Sequence, residues 1–148
     1  MEGIIIIGLQ ASGKSTFVHD NFRKTHIRLN MDMLKTRHRE GIILNACLEG
    51  KQSIVIDNTN PTTEEREKYI SKFKKNKFRV IGYYFESKIA DCLQRNKQRT
   101  GKAKIPEVGI KGTHNKLELP SYEEGFDALY YVKIHQNKFI VSEWKNEI

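Results

Sequence analysis

Four consecutive isoleucines, Ile4 to Ile7, run directly into Gly8-Leu9-Gln10-Ala11-Ser12-Gly13-Lys14-Ser15-Thr16. This junction restricts the fold more than any other stretch of the chain. An apolar run that does not alternate reads as a strand covered on both faces. The loop after it matches G-x-x-x-x-G-K-[ST], and a helix is expected over 14–23. Such a loop turns successive backbone amides inward, and those amides with the helix N-terminus cradle phosphate oxygens. The nucleotide-binding candidates are therefore Gly8, Ala11, Ser12, Gly13, Lys14, Ser15 and Thr16. Lys14 adds a point charge on the β- and γ-phosphates, and Ser15 supplies a hydroxyl to Mg²⁺. Thr16 reads as helix filler more than as a catalytic group.

The rest of the chain repeats the strand-then-helix alternation. Strands are expected at His26–Asn30, Ser53–Asp57, Phe78–Phe85, Ala128–Ile134 and Lys138–Trp144. Helices are expected over 33–49 with a break near Gly41, from about Asn60 to Lys75, and over 89–97. Pro61 falls near the first turn of the second of these, and Thr62 with Glu65 has capping-box spacing. Residues 100–120 read as mobile loop with a short helix. The expected fold is α/β: a three-layer sandwich with a mostly parallel sheet flanked by helices and a lid at about 95–115. With 148 residues the chain is expected to form a single domain over 1–148.

Charge narrows the partners. The formal net charge is +8, and it is unevenly placed. Residues 23–39 carry six Lys/Arg against one acid, and 95–111 repeat that ratio. Residues 72–94 carry six against two. Such blocks point to an anionic partner, a polyphosphate or a nucleic acid. Lys72, Lys74, Lys75 and Lys77 have a plainer reading as the solvated end of a helix. No stretch has the roughly 20 apolar residues of a membrane helix, so no membrane partner is expected. Two cysteines, Cys47 and Cys92, make no disulfide framework, and a cytoplasmic setting is the expectation.

The phosphate loop alone leaves motor, switch and kinase open. No Asn-Lys-x-Asp for guanine occurs, and the chain is short for a motor. Two acids bear on the choice. In a parallel sheet the C-terminal strand tips gather on the edge that holds the phosphate loop. Asp32 follows the second strand and would lie near the γ-phosphate, where it could accept the proton of an attacking hydroxyl. It could equally cap a helix over 33–39. Lys35, one turn on, would face the same cleft and hold an acceptor phosphate. Asp57 ends an apolar strand, where it would lie near Mg²⁺ or orient the acceptor-binding residues; as a polar strand end it could instead cap the next turn.

These residues together resemble the kinase domain of polynucleotide 5′-hydroxyl kinases of bacteriophage and animal end-healing enzymes, within the wider zeta-toxin and AAA-like kinase group. The likeness rests on Gly8–Thr16, Asn30-Met31-Asp32, Ile56-Asp57-Asn58-Thr59-Asn60-Pro61 and Arg95-Asn96-Lys97-Gln98-Arg99. Ile105-Pro106 and Glu124-Gly125-Phe126 add to it. The resemblance implies ATP and Mg²⁺ as cofactors and a nucleic acid 5′-hydroxyl end as acceptor. It implies Asp32 as general base, Lys14 and Arg99 as further catalytic groups, and Arg95 with Arg99 as lid arginines on the nucleotide. Lys35, Asp57, Asn58 and Asn60 are implied on the acceptor side. Residue 35 is Lys where the phage pattern has an acceptor-gripping arginine, so a bidentate fork is replaced by a point charge. Two alternatives stand beside this reading: a small-molecule kinase of the same fold, and a nucleotide-binding module without transfer. The five histidines lack metal-ligand spacing, and Tyr83, Tyr84, Tyr130 and Tyr131 read as core.

Overall fold

The computed structural model describes residues 1–146. Six strands form one sheet: β1 (Glu2–Ile7), β2 (Ile27–Leu29), β3 (Ile54–Ile56), β4 (Arg79–Phe85), β5 (Ala128–His135) and β6 (Lys138–Glu143). Their order across the sheet is β2-β3-β1-β4-β5-β6. All neighbours are parallel except the β5–β6 hairpin. The register sets Ile5 beside Ile56 on one side and Gly82 on the other. Ile4 to Ile7 are wholly buried, each worth about 1.5–3 kcal/mol of burial.

The described residues form six α-helices, α1 (Lys14–Phe22), α2 (Met31–Leu34), α3 (Arg37–Glu49), α4 (Thr63–Lys75), α5 (Ile89–Lys97) and α6 (Glu107–Lys116); α1, α3 and α4 flank the sheet, and α5 and α6 pack on each other beside Leu9. On one face Ile5, Ile7, Ile54 and Ile56 pack with Leu44, Tyr69, Ile70 and Phe73 of α3 and α4. On the other, Ile4, Ile6 and Val55 pack with Phe17, Val18 and Phe22 of α1. The isoleucine run alternates between two separate cores, which is why it shows no polar position.

The sequence expectation of one helix over 33–49 broken near Gly41 is corrected. The break lies at Lys35, whose φ of 72° reverses the chain, and Gly41 sits inside α3 with open space around it. Two caps explain this. Asn30 accepts from the Met33 amide and starts α2, and Thr36 accepts from the Arg39 amide and starts α3. Thr62 likewise caps α4 by accepting from Glu65, so Pro61 lies before that helix and outside its first turn. Lys72, Lys74 and Lys75 occupy the last turn of α4, where positive charge suits the helix dipole.

The paired tyrosines are structural. Tyr83 stacks on Tyr130 at 5.1 Å between ring centres, and Trp144 meets Tyr84 edge-on at 5.3 Å. Among the described residues no helix is long and apolar enough to cross a membrane.

Candidate active site

The phosphate loop closes between β1 and α1. Gly13 has φ 94°, a left-handed conformation costly for a side chain. A Cβ there would also lie 3.0 Å from Ile134 and 3.1 Å from Phe139. The start of the loop is anchored twice: Gly8 donates its amide to the Thr59 carbonyl at 3.0 Å, and Leu9 donates to the Ser87 hydroxyl at 3.1 Å. Ser12 turns its hydroxyl back onto the Leu9 carbonyl at 2.7 Å. Ala11 also has positive φ, and Thr16 is exposed on α1.

Lys14 is buried, and its ammonium donates to the Leu9 carbonyl of its own loop. Burial drives its pKa down from 10.5 to about 8, against attraction from Asp57 and Asp32 and with some repulsion from Arg99.

Ser15, exposed at the first turn of α1, donates to Asp57 Oδ2 at 3.0 Å. Asp57 stands at the tip of β3 and is 1% exposed. The same oxygen receives Arg28 Nε at 2.7 Å, an arginine from the middle of β2. A hydroxyl and a carboxylate this close suit a small hard cation that takes its remaining ligands from nucleotide phosphates and water. Among the described residues no cluster of three or more His, Cys, Asp or Glu offers a self-sufficient metal cage.

A cavity of about 320 Å³ joins these parts. Its walls include Lys14, Ser15, Asp32, Asp57, Asn58 and Arg99. Asp32 sits in the first turn of α2 and is exposed to the cleft, while the cap role is taken by Asn30. Asn58 Oδ1 accepts from the Met31 amide at 3.0 Å, which ties β3's tip to the start of α2. Its buried Nδ2 has no partner, a donor left available at the cleft wall. Arg99 reaches the Ala103 carbonyl at 3.3 Å, and Arg95 reaches the Ala11 carbonyl of the phosphate loop at 3.4 Å.

One expected acceptor residue is placed elsewhere. Lys35 is exposed at the C-cap of α2 and is absent from the cleft wall, because its own backbone reversal turns the chain away there. Asn60 is buried, donates Nδ2 to the Ile6 carbonyl at 2.7 Å, and stands on the wall of a second, neighbouring cavity.

The residue that takes up the cleft wall is Arg37, which the sequence reading passed over. Its Nη1 meets Glu40 at 3.0 Å and the Tyr69 hydroxyl at 2.9 Å. Tyr69 donates in turn to Glu40 at 2.9 Å. Burial and the Glu40 charge push the Tyr69 phenol up to about 12, so it stays a donor. Spacing three between Arg37 and Glu40 on α3 was the available signal. Arg66 was also passed over. Wholly buried, it pairs with Glu124 at 2.8 Å and donates to the Asn60 carbonyl at 2.9 Å, so it holds the loop that carries Asn58.

A second cavity of about 560 Å³ shares Arg37, Asn58 and Thr59 with the first. It carries Lys68, Lys72 and Lys116 on its walls.

Comparison with known proteins agrees with this architecture. A family model described as an AAA domain matches residues 39–120. The bifunctional polynucleotide phosphatase/kinase of Schizosaccharomyces pombe is 28% identical over 129 residues, 84% of this chain and 32% of that protein. The L-seryl-tRNA(Sec) kinase of Methanococcus maripaludis is 25% identical over 164 residues, 98% of this chain and 64% of that protein. The chain spans about a third of the length of the curated phosphatase/kinases it matches. The crystal structure of a gluconokinase from Sinorhizobium meliloti superposes with a TM-score of 0.64 at 16% identity, over 91% of this chain and 83% of that one. The family model covers more than half of the sequence, and the chain therefore belongs to the AAA domain family, with the fold of its P-loop kinases.

Proposed function

We propose that this chain is an ATP-dependent kinase that transfers the γ-phosphoryl group to the 5′-hydroxyl end of a polynucleotide. The observation that carries the proposal is the sharing of one cavity by Lys14, Ser15, Asp57, Asp32 and Arg99. Phosphoryl transfer needs little covalent help from a protein; it needs in-line positioning and charge complementarity. The loop amides and Lys14 bind the triphosphate. Asp32 accepts the proton of the attacking hydroxyl as the oxygen closes on phosphorus. Arg99 meets the charge that spreads over the equatorial oxygens of the transferring group. Ser15 and Asp57 would hold Mg²⁺, which would neutralise charge on the β- and γ-phosphates. The segment 95–115 acts as the lid that brings Arg99 over the nucleotide.

The polynucleotide acceptor is supported by the second cavity. Arg37, Lys68, Lys72 and Lys116 around it suit an acceptor with further phosphates beyond its reacting hydroxyl. The names of the fission yeast and archaeal relatives, a polynucleotide phosphatase/kinase and a tRNA kinase, agree with a nucleic acid acceptor. The test is transfer of labelled γ-phosphate to 5′-hydroxyl DNA and RNA oligonucleotides beside a panel of sugars and nucleosides. The proposal expects labelled oligonucleotide, with acceptor KM rising steeply with salt. Labelled sugar or nucleoside with no response to strand ends would assign a small-molecule kinase instead. Nucleotide binding without any labelled product would assign a binding module.

A further inference from the structure

Arg28 stands where a metal-dependent nucleotide site would not be expected to hold a cation of its own. Its Nε is 2.7 Å from Asp57 Oδ2, and its Nη2 is 3.4 Å from the Ser15 hydroxyl. These are the two side chains best suited to a divalent cation, and they are already joined to each other at 3.0 Å. The carboxylate is almost wholly buried, whereas the guanidinium side chain is 37% exposed. Arg28 therefore compensates Asp57 from the solvent side. It also has room to withdraw. A cavity of about 430 Å³ lies beside it, floored by Val18, Phe22 and Val55 and shared with Ser15.

We propose that Arg28 is a specificity-determining residue for the form in which metal enters: it disfavours a free divalent cation and favours one already carried on nucleotide phosphates. The inference rests on the nucleotide-site reading above. A bare dication approaching Ser15 meets the Arg28 guanidinium and the Lys14 ammonium, and its nearest carboxylate is already paired. A metal–nucleotide complex is net negative, so the same cations attract it. Its phosphates then offer Arg28 an alternative partner when the metal takes Asp57. A single charge about 5 Å from a dication in a water-like dielectric changes affinity by roughly tenfold, and more where water is excluded. Glutamine at position 28 keeps a donor for Asp57 and removes the charge.

The test is Mn²⁺ titration followed by electron paramagnetic resonance, on wild type, Arg28→Gln and Arg28→Lys, each with and without ADP. The wild type is expected to bind Mn²⁺ strongly only with ADP present. Arg28→Gln is expected to bind nucleotide-free Mn²⁺ about tenfold more tightly, and Arg28→Lys to behave as wild type. Wild type that binds free Mn²⁺ as tightly as it binds Mn²⁺ with ADP overturns the proposal, and this holds even if Arg28→Gln does not fold. An unchanged free-Mn²⁺ affinity in folded Arg28→Gln overturns it as well. If Mn²⁺ with ADP does not bind the wild type, the nucleotide-site reading falls too. Failure of phosphoryl transfer alone leaves these binding results standing, so the two failures are told apart.

Discussion

The Ser15 hydroxyl donates to Asp57 Oδ2 across 3.0 Å, joining the helix that follows the phosphate loop to the tip of β3. Two residues 42 positions apart meet because β1 and β3 are parallel neighbours with Ile5 beside Ile56. Chain elements that leave adjacent parallel strands emerge on one edge, and the site is assembled there. The candidate site is thus a consequence of strand order.

Lys14 gives a pH signature. Its ammonium is held near pKa 8 by burial in the free protein. Triphosphate oxygens favour the charged form, so bound nucleotide raises that pKa and binding takes up a proton above about pH 8. Nucleotide affinity should be level below pH 8 and fall up to tenfold per pH unit above it. Calorimetric titration from pH 7 to 9.5 in buffers of different ionisation enthalpy reads both the affinity and the proton uptake. The sign for stability is the reverse. The unfolded chain holds the Lys14 proton up to about pH 10.5 and the folded chain only up to about 8. This group's penalty is therefore full below pH 8 and is relieved as pH rises between those values. Lys14→Met should remove the dependence in nucleotide-free melting curves.

Arg99→Ala should lower kcat by about 10²–10³-fold while nucleotide affinity changes by only a few-fold, since its charge is needed most in the transition state. Arg99→Lys should recover part of the loss. Steady-state kinetics beside equilibrium binding separate the two effects. An equal loss in both would make Arg99 a ground-state nucleotide contact.

Arg66→Ala should be strongly destabilising although it lies outside the cleft. It leaves Glu124, 11% exposed, without its cation and the Asn60 carbonyl without a donor. Breaking a buried pair from one side costs about 3–5 kcal/mol. Urea unfolding measures it. A loss below about 1 kcal/mol would place the pair among ordinary surface contacts.

Sequence spacing reached the strand–loop–helix at residues 4–22 and the edge on which Asp32 and Asp57 gather, because both follow from local pattern and parallel pairing. α5 was legible from Ile89 to Lys97, with Ile89, Cys92 and Leu93 on one face. What escaped was set by tertiary partners. Asn30 and Thr36 each cap a short helix, so Lys35 turns out of the cleft and Arg37 turns into it; two caps six residues apart outweighed the periodicity of 33–49. Asn60 looked like part of an acceptor loop, yet its amide is spent on Ile6, 54 residues away. Arg66 carries no local signal, and only Glu124 from a distant turn accounts for its burial. Trp144 gained meaning only once Tyr84 and Tyr131 were beside it.

The central claim is that Asp32 receives the proton of the acceptor hydroxyl. The most direct measurement is labelled γ-phosphate transfer to a 5′-hydroxyl oligonucleotide by wild type and Asp32→Ala, with nucleotide affinity measured on the same preparations. The account predicts a fall in transfer of at least about 10²-fold with nucleotide affinity within a few-fold of wild type. Transfer by Asp32→Ala at the wild-type rate would contradict it.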